Sequence, residues 1–264
     1  MKYGFIGGGR MARAIIEGIL RAKLCTPQEI IVSNRNAQAL ALLAQETGVR
    51  AANDNATVAR ESELIVLAVK PGDATTALQS CEGALSHKLL VSVITGKSTG
   101  SLQTLSGARV VRAMPNTGAM IGVSATALTA GASATSADLE QTRQVFEAVG
   151  TVIVTKESLF DAVTGVSGSG PAYIYLIIEA LSDGGVAAGL PRPVALNLAI
   201  QTVRGAADMA EKTGLHPALL REMVTSPGGT TAAALTVLEN AAVRAALIRA
   251  VRAAEQRSAE LGAH

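Results

Sequence analysis

The sequence predicts an α/β chain: a doubly wound, mostly parallel sheet in the N-terminal part, followed by an all-helical C-terminal part. Three observations predict it. Short apolar runs with strand character alternate with segments of helical period from Lys2 to Thr155. One run, Leu64-Ile65-Val66-Leu67-Ala68-Val69, is apolar without a break, as a strand covered on both faces must be. From Leu159 onward the strand patterns stop. The change sets a domain boundary near Lys156, giving domains 1–156 and 157–264.

The first strand runs from Lys2 to Ile6. The turn after it, Gly7-Gly8-Gly9-Arg10-Met11-Ala12, fits the dinucleotide fingerprint G-x-G-x-x-G/A. It leads into a helix reaching Ala22, with Ile15, Ile16, Ile19 and Leu20 at helical spacing. Gly7 permits the tight turn, Gly9 lets a pyrophosphate approach the backbone, and Ala12 lets the helix lie close to the strand. The free N–H groups and positive dipole end of that helix face the phosphates. This is a Rossmann-like arrangement, with Ile6, Gly7, Gly9, Arg10, Met11 and Ala12 as candidate cofactor-binding residues.

The next elements follow in order. Glu29 to Ser33 is a second strand, Ala37 to Glu46 a helix closed by Gly48, and Val49-Arg50-Ala51 a short third strand. A short helix lies within Asn53 to Ser62, with Asp54 or Asn55 as its N-cap. After the Leu64 to Val69 strand, a helix begins between Pro71 and Ser80. Leu89 to Ile94, Arg109 to Met114, Val123 to Thr129 and Thr151 to Thr155 are further strands. Ala137 to Val149 is a helix capped by Gly150. Ligands on such a sheet bind outside the carboxyl ends of the strands, so the turns there are the places to look.

The end of the second strand bears on the cofactor. A site that prefers a free ribose 2′-hydroxyl places Asp or Glu about 20 residues after the glycines. Here that place holds Ser33-Asn34-Arg35, and no acid follows until Glu46. A guanidinium offers a 2′-phosphate a charge-assisted contact, so NADPH is preferred, with NADH as the alternative. The other reading of Arg35 is a solvated surface cation. In Ala68-Val69-Lys70-Pro71, Pro71 holds Lys70 extended, and the segment passes the cofactor by its backbone. Lys70 is either a catalytic donor or a surface lysine at a strand end. Met114, Pro115 and Asn116 end another strand, and the polar groups of Asn116 and Thr117 face the nicotinamide end.

In the second part, Thr164 to Pro171 reads as a glycine-serine turn, with Pro171 in the first turn of the next helix. That helix, Ala172 to about Ala188, starts apolar on every side and needs cover all round. A small helical domain cannot supply that alone, so a partner chain is expected. Pro191 and Pro193 open a helix ending near Gly214, and His216-Pro217 opens a short one to Val224. Thr225-Ser226-Pro227-Gly228-Gly229-Thr230-Thr231 then leads into an alanine-rich helix. Hydroxyl residues and glycines at a helix N-terminus make an anion site: Ser226 is the candidate cap, and the N–H groups of Gly229, Thr230 and Thr231 are candidate carboxylate holders. A plain capped turn is the competing reading. Arg244 to Leu261 reads as a solvated helix face.

The chain has 264 residues, 48% hydrophobic and 17% charged, which excludes global disorder. Aromatics are 2% with no Trp, so small aliphatic residues must fill the core. A net charge of +2 with no basic run argues against nucleic-acid and membrane-surface partners. Cys25 and Cys81 have no CxxC spacing and read as buried thiols in a reducing compartment. With the first strand beginning almost at once, no signal peptide is expected, and no apolar run approaches a membrane span. The expected setting is the cytoplasm. His87, His216 and His264 fall in no ligand spacing, and no metal site is expected.

Several stretches together resemble the pyrroline-5-carboxylate reductase family. They are Phe5 to Ala12, Ala68 to Pro71, Arg112 to Thr117, Val166 to Tyr173, and Val224 to Thr231 with Leu235 and Leu238-Glu239 after it. They run in the family's order along nearly the whole chain, and the last is the most specific. The resemblance implies NAD(P)H-dependent reduction of 1-pyrroline-5-carboxylate to L-proline. It also implies a helical dimerisation domain, with a homodimer as the minimum unit and dimers that often assemble further. By position it assigns Asn55 to the adenosine ribose, Ser33, Asn34 and Arg35 to the 2′-phosphate, and Ser226, Gly229, Thr230 and Thr231 to the substrate, with Thr231 as the catalytic hydroxyl. Two departures stand out. Gly118 replaces the family's usual Pro and is expected to loosen the turn beneath the nicotinamide. Thr95 adds bulk there.

The expected mechanism is mainly positioning, in a site spanning two chains. Two rival readings differ in what they require of the residues. A β-hydroxyacid dehydrogenase needs a catalytic lysine on the first helix of its second domain, and residues 165–190 contain none. A non-catalytic NADP sensor would bind the nucleotide and turn nothing over.

Overall fold

The computed structural model describes residues 3–262. The expectations for Lys2 and His264 lie outside the described residues. The strands are β1 (Tyr3–Ile6), β2 (Ile30–Ser33), β3 (Arg50–Ala52), β4 (Leu64–Leu67), β5 (Leu89–Ser92), β6 (Arg109–Met114), β7 (Ser124–Ala130) and β8 (Gly150–Val154). They form one sheet in the order β3-β2-β1-β4-β5-β6-β7-β8. All neighbours are parallel except β6 and β7. The interleaved helices are α1 (Arg10–Arg21), α2 (Ala37–Thr47), α3 (Asn55–Glu61), α4 (Ala74–Gln79), α5 (Thr99–Ser106) and α6 (Ser136–Glu147). The predicted doubly wound, mostly parallel sheet is present.

Alternation along the strands builds a core on each face. On one face Phe5, Val32, Leu64, Val66, Leu89, Val91 and Val111 pack with Ile15, Ile16 and Ile19 of α1 and Phe146 of α6. On the other, Ile31, Ile65, Leu67, Leu90 and Val110 pack with Val58 of α3, Leu78 of α4 and Leu102 of α5. Both faces of β4 are fully buried, which is why its sequence shows no polar alternation.

Several local expectations are corrected. The helix α5 was not foreseen; Ser98 caps its start and Gly107 its end. Of the two N-cap candidates for α3, Asp54 takes the role as expected, its carboxylate accepting from Thr57 N. Gly150 does not cap α6: Ala148 does, and Gly150 opens β8. Cys81 is buried, but Cys25 is only half-buried.

After β8 come α7 (Phe160–Val163), a π-helical stretch Thr164–Gly168, α8 (Gly170–Ala187), α9 (Arg192–Thr213), α10 (Pro217–Met223), α11 (Thr230–Asn240) and α12 (Val243–Gly262). The π-helical stretch replaces the predicted glycine-serine turn, the chain staying helical through Gly165 and Gly168. The first compact unit does not stop at Lys156. It runs to Ser169 and takes in the chain again from Ala253, whereas Gly170–Arg252 forms the second unit. The reason is a set of contacts that a composition shift does not reveal. Glu157 accepts from Thr99 N and Oγ1, both at 2.7 Å, and pairs with buried Arg112 at 3.5 Å. Phe160 is fully buried beneath the Arg112 guanidinium, 4.7 Å from its ring centroid.

The second unit packs α8 chiefly on α9. Its apolar side chains are mostly exposed in the single chain: Ile174, Tyr175, Leu176 and Leu181 on α8, and Leu196, Leu198 and Ile200 on α9. Among the described residues no single helix is long and apolar enough to cross a membrane.

Candidate functional site

In the sheet order, β1 is the point from which the chain winds outward in both directions, so a crevice opens at the carboxyl ends of β1, β2 and β4. Register brings Ile6 level with Ser33 and with Leu67, so the turns that follow share one edge. A cavity of about 450 Å³ lies there, lined by Gly7, Gly9, Ser33, Asn34, Arg35, Asn55, Ala68, Val69, Lys70, Asp73, Thr76, Ala77 and Ser80.

The crevice suits a dinucleotide. Gly7 has φ +98°, and a Cβ there would stand 2.6 Å from the Ala68 carbonyl, so only glycine closes this turn. At Gly9, the N-cap of α1, a Cβ would meet nothing within 4 Å. No side chain caps α1 and its first turn holds no acid, so its leading N–H groups are free to meet phosphate. Ile6 and Ala12 are fully buried and serve as packing under the turn, while Arg10 and Pro71 are exposed beside the cavity without lining it.

At the far end Ser33 Oγ donates to Asn55 Oδ1 at 2.5 Å, and Asn55 Nδ2 donates to Ser80 Oγ at 2.9 Å. Asn55 thus links the end of β2 to the end of α4. Arg35 is exposed but paired. Its Nη1 and Nη2 donate to the two carboxylate oxygens of Asp73 at 2.9 and 2.7 Å. Asp73, Thr76 and Ser80 were missed in the sequence. No local spacing links them to Arg35; they reach the crevice because β4 lies next to β1.

A second cavity, of about 500 Å³, lies at the end of β6. Met11, Thr95, Met114, Pro115, Asn116 and Thr117 line it together with Thr164 and Gly168 of the π-helical stretch and Ser169 just after it. Asn116 Nδ2 donates to the Ser167 carbonyl at 3.1 Å, and Asn116 Oδ1 accepts from Gly118 N at 2.9 Å. Gly118 therefore does not loosen the turn. A Cβ there would stand 2.6 Å from the Val123 carbonyl, and its N–H is the donor that proline lacks. Thr95 does add a side chain to this cavity, its Oγ1 lying 4.0 Å from Met114 Sδ. The tail is more than a solvated helix face. Ala254, Arg257, Ser258 and Leu261 of α12 line the cavity, and Ser258 is buried, its Oγ donating to Asp161 at 2.6 Å.

In the second unit, the turn 225–229 ends in α11, with Gly229 as the N-cap and no side-chain cap. Ser226 is therefore not the cap; its carbonyl accepts from Gly229 N at 3.0 Å. That bond also removes Gly229 N–H from the expected anion holders. The leading N–H groups of Thr230 and Thr231 remain, with no intrahelical acceptor available to them. Gly228, just ahead of them, sits at φ +68°, a left-handed conformation that glycine adopts freely. Thr231 is half-buried; Ser226 and Thr230 are exposed.

The family described as Pyrroline-5-carboxylate reductase dimerisation matches residues 157–261. A relative named pyrroline-5-carboxylate reductase, from Methanosarcina acetivorans, is 46% identical over 99% of this chain and 98% of its own. The chain belongs to the pyrroline-5-carboxylate reductase family. The family described as NADP oxidoreductase, coenzyme F420-dependent, matches residues 2–96, the segment that carries the crevice. The fold agrees with solved structures of this reductase family. One from Coxiella burnetii has a TM-score of 0.92 at 38% identity, covering 98% of each chain. The pyrroline carboxylate reductase of Plasmodium falciparum, solved with NADP bound, has a TM-score of 0.91 at 32% identity, covering 99% of this chain and 98% of its own.

Proposed function

We propose that the protein reduces 1-pyrroline-5-carboxylate to L-proline with NADPH, the last step of proline biosynthesis, and works as a homodimer or a larger homo-oligomer. The observation that carries this reading is full-length kinship to reductases of that name, in a chain that keeps both an uncapped dinucleotide turn at Gly7–Ala12 and an uncapped glycine turn at 228–231. Functionally, residues 1–156 are the nucleotide domain and 157–264 the dimerisation and substrate domain, a division supported by the family match from residue 157. The two free thiols fit a reducing compartment, the cytoplasm.

The residues placed to meet the cofactor are Gly7, Gly9, Met11, Ser33, Asn34, Arg35, Asn55, Ala68, Val69, Lys70, Met114, Pro115 and Asn116, with Arg10 and Pro71 at the edge of the site and Ile6 and Ala12 supporting it from beneath. When bound, the reduced nicotinamide supplies the hydride for the C=N carbon. The α1 N-terminus takes the pyrophosphate, Asn55 the adenosine ribose, and Asn116 the polar end of the second cavity. The Thr230 and Thr231 amides hold the substrate carboxylate, with Ser226 and Gly229 shaping the turn. The Thr231 hydroxyl hydrogen-bonds the ring nitrogen. It is a poor acid, so the proton comes from solvent. Fixing the ring acid supplies most of the rate enhancement.

The test is to mix the purified protein with 1-pyrroline-5-carboxylate and NADPH and follow the nicotinamide absorbance. The reading expects saturable loss of NADPH. No loss at saturating substrate, with NADP⁺ still bound, would favour the nucleotide sensor instead.

A further inference from the structure

Arg35 and Asp73 come from different turns, after β2 and after β4, yet they face each other across the ribose end of the first cavity, and both line it. The pair is bidentate, at 2.9 and 2.7 Å, but the Arg35 side chain is 80% exposed. An ion pair so exposed adds little to folding. Its consequence is for the ligand. Two of the guanidinium N–H groups are already committed to a carboxylate. A 2′-phosphate arriving there must displace that carboxylate or bind beside its negative charge. A ribose 2′-hydroxyl meets the opposite situation, since a carboxylate is an acceptor for it. The sequence around Arg35 carries no such acid before Glu46, so this acid is visible only once the strands are paired.

We propose that Asp73 is a specificity-determining residue: by holding the Arg35 guanidinium, it keeps the preference for NADPH over NADH well below what Arg35 alone would give. The inference rests on the nucleotide reading above. It assigns the balance between the two cofactors to a competition between an internal anion and the 2′-phosphate for one guanidinium.

The experiment measures binding by calorimetry, independently of turnover. The probes are 2′,5′-ADP against 5′-AMP, and NADP⁺ against NAD⁺. The proteins are wild type, Asp73→Asn, Arg35→Ala and the double variant, each checked for an unchanged melting temperature. Asp73→Asn is expected to raise the affinity ratio of 2′,5′-ADP to 5′-AMP about tenfold, and the NADPH to NADH ratio of kcat/KM with it. In the Arg35→Ala background the same substitution is expected to gain at least about threefold less, since no guanidinium is left to release. An unchanged ratio in Asp73→Asn, or an equal gain in both backgrounds, would overturn the proposal. Wild-type protein that binds neither NADP⁺ nor NAD⁺ would overturn it together with the nucleotide reading. NADP⁺ binding that depends on Arg35 but not on Asp73 would overturn the proposal alone.

Discussion

The two compact units of this chain differ in how completely each satisfies itself. The first seals a sheet between two apolar layers, and Phe5, Ile6, Leu64, Ile65 and Leu67 have no exposure at all. The second, Gly170–Arg252, leaves most of its large apolar side chains open, and α10 and α11 contain no buried residue. Both have apolar sequences. The lesson is that composition shows a segment must be covered but not whether its own chain does the covering. Here the helical unit matches a dimerisation family, so the missing cover is a second copy.

The sharpest way to break this contrast is to place a charge on the open face of α8. Leu176 is 66% exposed in the single chain. Leu176→Asp is expected to weaken self-association by about a thousandfold, because a carboxylate would be buried without a partner. Sedimentation should then report the monomer mass, while circular dichroism of the nucleotide unit persists. An unchanged oligomer would mean that another face carries the interface.

A substitution in the turn of the second unit should separate catalysis from nucleotide binding. Thr231→Ala is expected to lower kcat by about a hundredfold while the NADP⁺ dissociation constant stays within about twofold of wild type. A large loss of NADP⁺ affinity with unchanged kcat would contradict the role given to this hydroxyl.

The self-sufficiency of the first unit predicts its acid sensitivity. Arg109 donates from Nε and Nη2 to both oxygens of buried Asp138 at 2.9 Å, holding its carboxyl down at about 2. The ordinary value is about 3.9, so the stability from this pair is complete above about pH 4 and is lost as the pH falls toward 2. Removing the charge with Asp138→Asn should cost about 2 kcal/mol at neutral pH and flatten the acid limb of the denaturation curve. An acid limb unchanged in the variant would show that other carboxylates dominate.

The smallest effect concerns the seal itself. Burial pushes the Cys81 thiol up to about 11, and Asp54 adds in the same direction. At pH 8 iodoacetamide should therefore leave Cys81 unmodified in the native protein and label it only in denaturant, as mass spectrometry of the peptide would read. Rapid native labelling would mean that this layer opens readily.

What could be read from the sequence followed from local chemistry. The fingerprint turn, the unbroken apolar run of β4 and the glycine close of α2 are each written in adjacent residues, and each took the expected form. Glycine and serine around Gly165–Gly168 suggested a turn, because intrinsic propensity takes no account of Thr164 and Gly168 packing near Met114. The dimerisation family match begins at residue 157, next to the boundary read near Lys156, while the compact unit runs on to Ser169 because Glu157 and Phe160 have partners, Thr99 and Arg112, far back in the chain. For the same reason Asp73 and Ser258 were missed. A lone acid in a loop and a serine in an Arg–Glu–Ala helix acquire meaning only from neighbours that the fold supplies.

The most direct test of the account is product stoichiometry. The wild-type protein, given 1-pyrroline-5-carboxylate and limiting NADPH, should yield L-proline and NADP⁺ in equal amounts, with Thr231→Ala slowing both together. NADPH consumed without matching proline, or proline formed at an undiminished rate by Thr231→Ala, would contradict it.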